Sequence, residues 1–341
     1  MQYHIINSSK FGGAEIIAAR LSKKISDNSL IIIFKNDYLF TKRFKIDSKN
    51  FIFLIRNLFF NKKNSFFSHN IQAHIILNIL SFLKKIILRE DSNKYYNVIH
   101  FDAYHIKKFW LNIYIYLLKI YSPKLIFVSE YSKIQFFKKI NFVLNYQVIN
   151  NSISDHFFEN KNSDLFQKKL DNKQLRIGFI GRYSPVKQLP LFLEICLELT
   201  KTRKKNFQFY IQSDISRDEI KSLILEIKRL NNYKENDLDL VLLNSQDDPK
   251  FFYKSIDILI STSKTETFGL TCIEALAMGR RLYTINSKSI ESLFGKVTFN
   301  IKGGEVKNIA RLLIDSFEKK YLCPNISKFK ESIMIEEYSK L

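Results

Sequence analysis

The second half of the chain alternates short apolar runs with longer stretches in which apolar residues recur every three or four positions. Short apolar runs predict buried strands, and the 3.6-residue period predicts helices that bury one face. Strands that alternate with helices are typical of βαβ units in a parallel sheet. The pattern predicts strands over 175–180, 207–211, 238–242, 256–260 and 282–285, and helices over 189–201, 215–230, 269–278 and 306–317.

The first half has the same kind of pattern with less regular spacing. It predicts helices that begin near residues 13, 71, 106 and 132. The apolar runs between them predict strands over 3–7, 30–34, 51–54, 65–68, 98–101 and 125–129. Both halves therefore belong to the α/β class, and we expect two Rossmann-like domains.

The length of the chain agrees with two domains, because 341 residues is about twice the usual single-domain size. The polar segment 160–173 (NKNSDLFQKKLDNK) interrupts the pattern and predicts the linker. We expect an N-terminal domain over 1–165 and a C-terminal domain over 166–325. A last helix over 326–341 is expected to pack back on the N-terminal domain.

The composition of the chain is strongly basic. The 54 Lys and Arg residues outnumber the 33 Asp and Glu residues, which gives a formal net charge of +21. Such an excess indicates an anionic partner, which is a nucleic acid, a membrane surface or a phosphorylated substrate. The basic residues are scattered, and no helix-turn-helix, zinc-finger or RNP pattern accompanies them. We therefore do not expect a nucleic-acid partner.

Cysteine usage and hydropathy indicate the compartment. Cys196, Cys272 and Cys323 are far apart and form no C-x-x-C or zinc spacing. The N-terminus lacks the apolar region of a signal peptide. The best candidate for a membrane span, 109–118, is about half the necessary length. We therefore expect a reduced, cytoplasmic protein.

Residues 261–279 (STSKTETFGLTCIEALAMG) hold the clearest candidate for a binding site. A buried strand is predicted to end near Ser261 and a helix to begin at Gly269, and the free N–H groups of such a helix start bind anions. Glu266 lies in the loop between them, and Glu274 lies inside the helix. The helix dipole alone also favours acids near a helix start, so solvated acids are the alternative.

A second candidate lies in residues 176–187 (RIGFIGRYSPVK). The predicted strand ends at Gly181, and Arg182 and Lys187 follow it. Two cations at the carboxyl end of a parallel strand are well placed to bind a diphosphate. Taken alone, they are equally compatible with a solvated basic loop.

The first half contains a glycine pair and several polar residues at predicted strand ends. Gly12 and Gly13 precede the first helix, where glycine permits the close approach of a ligand, although a plain tight turn explains them equally well. The polar residues that follow two further strands are His69, Asn70, His100, Asp102 and His105. Asp102 is alternatively a helix cap, and His69 and His105 are alternatively structural. No His-x3-His pair or His/carboxylate cluster has ligand spacing, so we expect no metal site.

Together these segments resemble retaining GT-B glycosyltransferases, specifically glycosyltransferase family 4. Residues 261–279 resemble the family's donor-binding segment, and 176–187 resemble its strand-G-R-x-x-x-x-K element. Residues 11–15 (FGGAE), 125–133 (LIFVSEYSK) and 146–154 (YQVINNSIS) resemble three further elements. The resemblance covers most of the chain and implies the GT-B fold, in which two Rossmann-like domains face each other across a cleft.

The resemblance also implies roles for individual residues. Glu266 and the N–H groups after it face the donor sugar and phosphate, Glu274 binds the ribose hydroxyls, and Arg182 and Lys187 hold the pyrophosphate. The implied donor site comprises Gly13, Arg182, Lys187, Glu266, Phe268, Gly269, Leu270 and Glu274. The candidate catalytic residues are Glu266, His100, Arg182 and Lys187, and the acceptor-side candidates are His69, Asp102 and His105.

Departures from the family pattern leave the nucleotide and the sugar open. Asn151 stands where glycine is usual, and residues 212–214 (QSD) replace a glycine-rich loop. Residues 280–281 (RR) replace a Lys-Pro pair, and 287–289 (SKS) replace a Gly-Gly pair. We expect a UDP- or GDP-linked sugar as the donor and no cofactor besides it.

The resulting expectation is a metal-independent glycosyltransferase of the hexosyltransferase type. It transfers a sugar to a hydroxyl of a glycan or lipid-linked acceptor with retention of configuration, and the resemblance favours bacterial surface polysaccharide or lipopolysaccharide synthesis. Residues 51–63, 75–85 and 107–119 mix bulky apolar side chains with Lys and Arg. They predict peripheral attachment to an anionic membrane, on the inner face of the cytoplasmic membrane, with core-facing elements as the alternative. The alternative functions are a basic nucleic-acid-binding protein and an inactive membrane-surface scaffold of the same fold.

Overall fold

A computed structural model of the chain describes residues 1–6, 12–25, 28–32, 34–35, 45–89, 91–101, 106–140, 142, 144–159, 174–202, 206–231, 233, 238–295, 299–302, 304–319, 321 and 323–341. The predicted linker 160–173 and the candidate residues Asp102 and His105 lie outside this part of the chain. The chain divides into two compact units. Unit 1 comprises Met1–Ser152 and Glu331–Leu341, and unit 2 comprises Ile153–Lys330.

Unit 1 is an α/β unit. Its strands are β1 (Gln2–Ile6), β2 (Asn28–Ile32), β3 (Phe34–Lys35), β4 (Lys45–Ile46), β5 (Ser65–Ser68), β6 (Lys94–Ile99), β7 (Lys124–Phe127) and β8 (Tyr146–Val148). Its first helices are α1 (Gly13–Lys24), α2 (Ser48–Phe60), α3 (Ile71–Leu88), α4 (Lys108–Ile120) and α5 (Glu130–Lys139). In the described residues, six of the strands form a parallel sheet in the order β2-β1-β5-β6-β7-β8. Strands β3 and β4 form a separate antiparallel pair.

Side chains of the unit 1 sheet alternate between its two faces, as the pleat requires. On one face, Tyr3 and Phe66 stack with ring centroids 5.0 Å apart and pack in one cluster with Leu54 of α2. The next residues along the same strands, His4 and Phe67, stack on each other with centroids also 5.0 Å apart. The sheet is therefore buried on both sides, which explains the nearly continuous apolar runs of its strands.

Unit 2 is also an α/β unit. Its strands are β9 (Gln174–Ile180), β10 (Asn206–Ser213), β11 (Leu240–Asn244), β12 (Ile258–Ser261), β13 (Arg281–Ile285) and β14 (Phe299–Ile301). Its helices are α6 (Leu189–Thr200), α7 (Arg217–Asn231), α8 (Pro249–Ser255), α9 (Leu270–Ala277), α10 (Lys288–Phe294) and α11 (Val306–Phe317). The described strands form a parallel sheet in the order β11-β10-β9-β12-β13-β14. The α/β class and the parallel sheets agree with the sequence prediction.

Helices cover both faces of the unit 2 sheet. On one face, Ile177 and Phe179 of β9 belong to a large apolar cluster with residues of α6, α7 and α11. On the other face, Gly178 makes room for α8 and the residue that follows it. A Cβ at Gly178 would lie 2.6 Å from Phe252 Cζ and 2.8 Å from Ile256 Cγ2, closer than any side chain tolerates. Glycine is therefore required at this position by packing.

Unit 1 ends at Ser152, before the expected boundary at 165/166. The carbonyl of Ser152 accepts a hydrogen bond from Arg20 of α1 (3.2 Å). The following turn belongs to unit 2, because Phe157 packs edge-on against Tyr253 with centroids 6.0 Å apart. The boundary therefore follows side-chain packing, whereas the prediction relied on the polarity of the next segment.

The C-terminal residues Glu331–Leu341 belong to unit 1 and form helix α12 (Glu331–Ser339). Tyr338 of α12 lies against Phe67 of the unit 1 sheet, with ring centroids 5.6 Å apart. The segment was expected to begin at residue 326. It begins later because Phe329 is still packed in unit 2, edge-on against Phe268 at 5.3 Å.

Residues 51–54 were predicted as a strand and lie in helix α2. The Asp47 side chain caps this helix by accepting a hydrogen bond from the N–H of Asn50 (3.2 Å). Leu54 and Leu58, four residues apart, are both buried on one side of the helix. A short apolar run does not by itself distinguish a strand from a buried helix segment, so the prediction was wrong.

Helix α3 is long and apolar enough to cross a membrane by its length and composition alone. The sequence had pointed to 109–118 as the best candidate, and this was wrong. Polar residues interrupt the apolar run of α3 in the sequence, but His74, Asn78 and Lys84 all lie on its buried side. Of the apolar window, 44% is buried within the protein.

Candidate active site

The loop between β9 and α6 carries the two predicted cations. Strand β9 ends at Ile180, and Arg182 follows in an exposed position. Lys187 is partly buried, and Gln188 adopts a left-handed conformation (φ 51°) directly before α6. The loop therefore leaves Arg182 in solvent and draws Lys187 back toward the protein.

The loop between β12 and α9 carries Glu266. It leaves the buried strand β12 and ends at Gly269, which has φ +81°. A side chain there would be strained by this conformation, and its Cβ would lie 2.7 Å from Ile290 Cδ1. Helix α9 begins at Leu270 without a side-chain cap. The N–H groups of its first turn are the kind of donors that bind an anion.

Backbone and side-chain hydrogen bonds join these two loops. The N–H of Lys264 donates to the carbonyl of Val186 (2.8 Å). The hydroxyl of Thr262 lies within hydrogen-bond distance of the carbonyls of Lys187 (2.9 Å) and Gln188 (3.0 Å). Strands β9 and β12 are neighbours in the sheet, so the loops meet at its carboxyl edge, where parallel sheets bind ligands.

The contact between the loops brings two predicted site residues together. Lys187 Nζ donates a hydrogen bond to Glu266 Oε1, and the two side chains form an ion pair. Both are partly buried, with 24% and 13% of their side-chain surface exposed. An ammonium group has three donors, so this bond leaves Lys187 two further N–H groups for a ligand.

Glu274 lies in α9 and is buried. Its Oε2 accepts a hydrogen bond from the hydroxyl of Tyr253 (2.8 Å). Burial, reinforced by the neighbouring Glu274 carboxylate, holds the pKa of Tyr253 well above its ordinary value, so the hydroxyl remains a donor. Sequence reasoning missed Tyr253 because it lies on α8, a short helix that the apolar pattern did not predict.

The remaining donor-site candidates are found in two places. Phe268 is buried against Phe329, and Leu270 is the first residue of α9. Gly13 is exposed at the start of α1 in unit 1, after a helix cap at Gly12 that supplies no side chain. In the first turn of α1, Glu15 accepts a hydrogen bond from Asn70 Nδ2 (3.0 Å).

Three histidines of unit 1 form a hydrogen-bonded series: His4 lies within β1, and His69 and His100 directly follow β5 and β6. His69 Nε2 lies 3.0 Å from His4 Nδ1, and His69 Nδ1 lies 3.0 Å from His100 Nε2. Asn151 Nδ2 lies 3.4 Å from His100 Nδ1. Two of these residues were predicted as site candidates. His4 was missed, because it lies within a strand and not at its end.

Burial keeps these histidines uncharged. It lowers the pKa of His4 and of His100 to about 3, and it lowers the pKa of His69 well below its ordinary value. The neighbouring rings of His100 and His4 further disfavour a charge on His69. Within the described ranges, no group of three His, Cys, Asp or Glu side chains is arranged to hold a metal ion.

Comparisons with known proteins identify the fold and the family. The family model of glycosyl transferases group 1 matches residues 160–332, which is just over half of the chain. No match is found among the curated proteins.

Solved structures with this fold cover nearly the whole chain at low sequence identity. HepE of Anabaena, in complex with UDP and glucose, is 16% identical, with a TM-score of 0.77 over 100% of this chain and 98% of that one. A glycosyltransferase from Rickettsia africae is 17% identical (TM-score 0.67; 99% and 97% covered). The lipopolysaccharide outer core galactosyltransferase WaaB is 15% identical (TM-score 0.67; 100% of both chains). The chain therefore has the GT-B fold and belongs to the glycosyl transferases group 1 family.

Proposed function

We propose that the protein is a retaining glycosyltransferase of family 4 that transfers a sugar from a nucleoside diphosphate-sugar to a hydroxyl group. The observation that carries the proposal is the ion pair between Lys187 and Glu266 at the carboxyl edge of the unit 2 sheet. A solvated basic loop would not bury a lysine against a carboxylate beside an uncapped helix start. The arrangement combines a cation, a row of N–H groups and an acid within two joined loops.

Each part of this arrangement has a role in the proposed reaction. When the bond between the sugar and the diphosphate breaks, negative charge grows on the leaving diphosphate. Lys187 and the first N–H groups of α9 stabilise that charge, and such preorganised groups are commonly the largest contribution to catalysis. Glu266 holds Lys187 in place and faces the sugar. Arg182 adds a second cation from the exposed part of its loop.

The donor is a UDP- or GDP-linked sugar, and Glu274 binds its ribose hydroxyls. UDP accompanies HepE in its crystal structure, which supports the uracil nucleotide as the first to test. We propose that no metal is needed, because two cations and the helix start already supply positive charge. We propose that the acceptor is a glycan or a lipid-linked molecule in bacterial surface polysaccharide or lipopolysaccharide synthesis. The similarity of the fold to that of WaaB, a lipopolysaccharide outer core galactosyltransferase, supports this choice.

Donor binding is tested by thermal shift with UDP, GDP and their sugar conjugates, each with and without EDTA. A ligand at about 100 times its Kd stabilises the protein by about 2.7 kcal/mol. The anomeric configuration of the product, read by NMR, tests retention. Binding of random DNA without any nucleotide response would instead support a nucleic-acid-binding protein, and liposome binding without it would support an inactive scaffold.

The surface of unit 1 supports a lipid-linked acceptor. Helices α2, α3 and α4 are neighbours that share their buried sides with one face of the sheet. Their outer sides expose large apolar residues, among them Phe60 (80% exposed), Ile87 (64%) and Phe109 (67%). We call this surface the apolar helix face; it comprises Ile52, Phe53, Phe60, Ile79, Leu83, Ile86, Ile87, Leu88, Phe109, Trp110, Tyr116 and Ile120.

From Asn78 onward, helix α3 has the reverse of the usual amphipathic arrangement. Asn78, Ser81 and Lys84 are buried, while Ile86 and Ile87 are exposed. Helices of soluble proteins normally direct the apolar stripe to the core and polar residues to water. An apolar outer side is stable where the surrounding medium is itself apolar, and this favours insertion into the surface of a lipid layer.

Charge on the apolar helix face favours an anionic membrane. Helices α2, α3 and α4 contain no Asp or Glu, and Arg56, Lys85 and Lys119 lie on them. Lys62 and Lys63 follow Asn61, the residue that caps the end of α2. Each basic residue near an anionic leaflet contributes about 1 kcal/mol, so a few are enough for peripheral attachment on the inner face of the cytoplasmic membrane.

Vesicle sedimentation of the full chain tests the membrane proposal. We expect salt-reversible binding to anionic vesicles and none to neutral vesicles. Ile86→Asp/Ile87→Asp should reduce binding at least about tenfold, because two apolar side chains are replaced by charges that the leaflet repels. Leu225→Asp/Leu230→Asp is the matched control, since both leucines are exposed on α7 of unit 2. Equal effects of the two double variants would overturn the proposal.

A further inference from the structure

The loop that carries Arg182 and Lys187 is held from both neighbouring strands. Residues 262–264, which follow β12, bond to the backbone of its second part, residues 186–188. Its first part is held by residues 212–214 (Gln-Ser-Asp), at the carboxyl end of β10, which lies on the other side of β9. These three residues stand where the family pattern has a glycine-rich loop, so the contacts of their side chains are features of this chain.

Two hydrogen bonds join residues 212–214 to the first part of the loop. The N–H of Gly181 donates to the carbonyl of Gln212 (3.1 Å). The N–H of Tyr183 donates to the carboxylate of Asp214 at Oδ1 (2.5 Å). These N–H groups lie on either side of Arg182 in the sequence. The planar peptide group that contains the Tyr183 N–H directly follows the Arg182 Cα, so its bond to Asp214 restricts ψ of Arg182.

Gln212 anchors the segment from which Asp214 extends. Strand β10 pairs with β9 as far as Gln212, whose side chain is buried (3% exposed). Its Nε2 donates to the carbonyls of Asn244 (2.9 Å) and Asp247 (2.9 Å) in the loop that follows β11. Residue 212 is therefore fixed by both neighbouring strands or their loops, and Asp214 begins its reach to Tyr183 from a rigid position.

Asp214 does not cap α7, the helix that follows it. The hydroxyl of Ser216 accepts a hydrogen bond from the N–H of Glu219 (3.2 Å), and the Glu219 carboxylate accepts one from the N–H of Ser216 (2.9 Å). This reciprocal pair is a capping box. Asp214 is also exposed. Neither helix capping nor burial therefore accounts for the bond between Asp214 and Tyr183.

We propose that Asp214 is a positioning residue for Arg182, because its carboxylate holds the peptide group after Arg182 and so directs the guanidinium to the donor diphosphate. The inference rests on the proposed glycosyltransferase function, in which Arg182 is the second cation. An arginine on a free loop loses backbone and rotamer freedom when it binds an anion, and that loss opposes binding. A backbone that is already restricted loses less, so Asp214 raises the affinity for the diphosphate.

The sign of the effect distinguishes positioning from simple electrostatics. A carboxylate repels a diphosphate, so an Asp214 that acted only through its charge would weaken donor binding, and its removal would strengthen binding. Positioning predicts the opposite result, which is weaker binding after removal of the side chain. The substitution of Asp214 by residues that keep or lose the acceptor oxygen therefore separates the two effects.

Titration calorimetry of the full chain with UDP measures this difference. Asp214→Ala loses both charge and acceptor and should weaken UDP affinity about fivefold, the size of one hydrogen bond. Asp214→Asn loses the charge but keeps an acceptor oxygen, so it should bind UDP at least as tightly as the native protein. Asp218→Ala is the matched control, because it removes an exposed acid from the first turn of α7. Unaltered or tighter binding by Asp214→Ala, or an equal loss in Asp214→Asn or Asp218→Ala, would overturn the proposal.

A double-mutant cycle tests whether Asp214 acts through Arg182. Arg182→Ala alone should weaken UDP affinity at least about tenfold, because a charge-assisted contact is lost. In the Arg182→Ala protein, the further substitution Asp214→Ala should cause no additional loss, since no guanidinium remains to be positioned. A second fivefold loss in the double variant would show that Asp214 acts independently of Arg182, which contradicts the inference.

Amide hydrogen exchange, followed by NMR without any ligand, tests the contact itself. The N–H of Tyr183 should exchange at least about fivefold faster in Asp214→Ala than in Asp214→Asn, which are both uncharged at residue 214. The N–H of Lys264, bonded to the carbonyl of Val186, is the internal control and should not change. Equal exchange of Tyr183 in the two variants, or an equal change of Lys264, would refute the inference. If the native protein binds neither UDP nor GDP, the proposed function fails while the exchange result stands, so the two failures are distinguishable.

Discussion

Units 1 and 2 have the same architecture and use it in opposite ways. In unit 2, the interior is apolar and the charged candidates, Lys187 and Glu266, lie on loops at the edge of the sheet. In unit 1, neutral polar side chains such as His4, His69 and Asn78 are buried, and large apolar side chains are exposed on α2, α3 and α4. The same architecture therefore holds a charged pair in unit 2 and a neutral, hydrogen-bonded series in unit 1.

Charged and neutral polar groups meet the cost of burial in different ways. A charged group removed from water needs a partner of opposite charge. In unit 2, the contact between two loops brings Glu266 to Lys187. A histidine avoids that requirement by remaining neutral, so unit 1 places three of them inside the fold without a carboxylate between them. Acid should consequently lower the stability of unit 1 by protonating its histidines. In unit 2, substitution of a charged residue should instead weaken donor binding.

The largest expected effect is the loss of unit 1 stability in acid. Burial lowers the pKa of His4 and His100 from 6.5 to about 3, so the unfolded chain binds more protons between these values. Their stabilising contribution is complete above about pH 6.5 and is lost as the pH falls toward 3. Each histidine then costs up to about 1.4 kcal/mol per pH unit. Urea unfolding from pH 7.5 downward, followed by the fluorescence of the single tryptophan, Trp110 in α4, measures unit 1 alone.

A variant separates this effect from the titration of carboxylates. In His4→Gln the slope of stability against pH should be smaller by up to about 1.4 kcal/mol per pH unit. The slope is compared between the two proteins, so a constant loss of packing at residue 4 does not matter. An equal slope in both would show that the His4 ring is not held neutral by burial.

The second effect is the loss of donor binding in unit 2. Lys187→Ala should weaken the affinity for a nucleoside diphosphate by about 2 to 3 kcal/mol, because a charge-assisted contact is removed and Glu266 loses its partner. Titration calorimetry with UDP measures it. Lys264→Ala is a matched control, since only its backbone N–H joins the two loops. Equal UDP affinity of Lys187→Ala and the native protein would show that Lys187 does not bind the diphosphate.

The fold class of both domains could be predicted because the alternation of short apolar runs with helical patterns determines it. The helix over 306–317 was predicted with its exact first and last residues. The short helices α8 and α10 were missed, since seven residues hold too little of the 3.6-residue period. Lys187 and Glu266 could be proposed from the sequence because each lies in a loop that follows a predicted strand and belongs to a recognisable motif. Tyr253 and His4 lie inside regular elements, where only tertiary contacts distinguish a polar partner from a core residue.

The third effect tests the packing that positions the unit 2 loops. Gly178→Ala should destabilise the protein by about 1 to 3 kcal/mol, because the new Cβ collides with Phe252 and Ile256. Gly304→Ala is the control, since no atom within 4 Å would meet its Cβ. Thermal melting compares the two, and about 1 kcal/mol corresponds to about 2 to 4 °C for a unit of this size. Equal melting temperatures would refute the close approach of α8 to β9.

The smallest effect concerns the hydrogen bond between Tyr253 and Glu274. Tyr253→Phe should weaken UDP affinity by about 1 kcal/mol, roughly fivefold, because the Glu274 carboxylate loses the donor that holds it in place. Tyr233→Phe removes an equivalent bond to Glu198 (2.7 Å), which lies among the helices on the opposite face of the sheet. The control should lose similar stability and keep its UDP affinity. If both variants bind UDP like the native protein, Glu274 needs no positioning by Tyr253, and its proposed ribose contact would then have to be tested by Glu274→Ala.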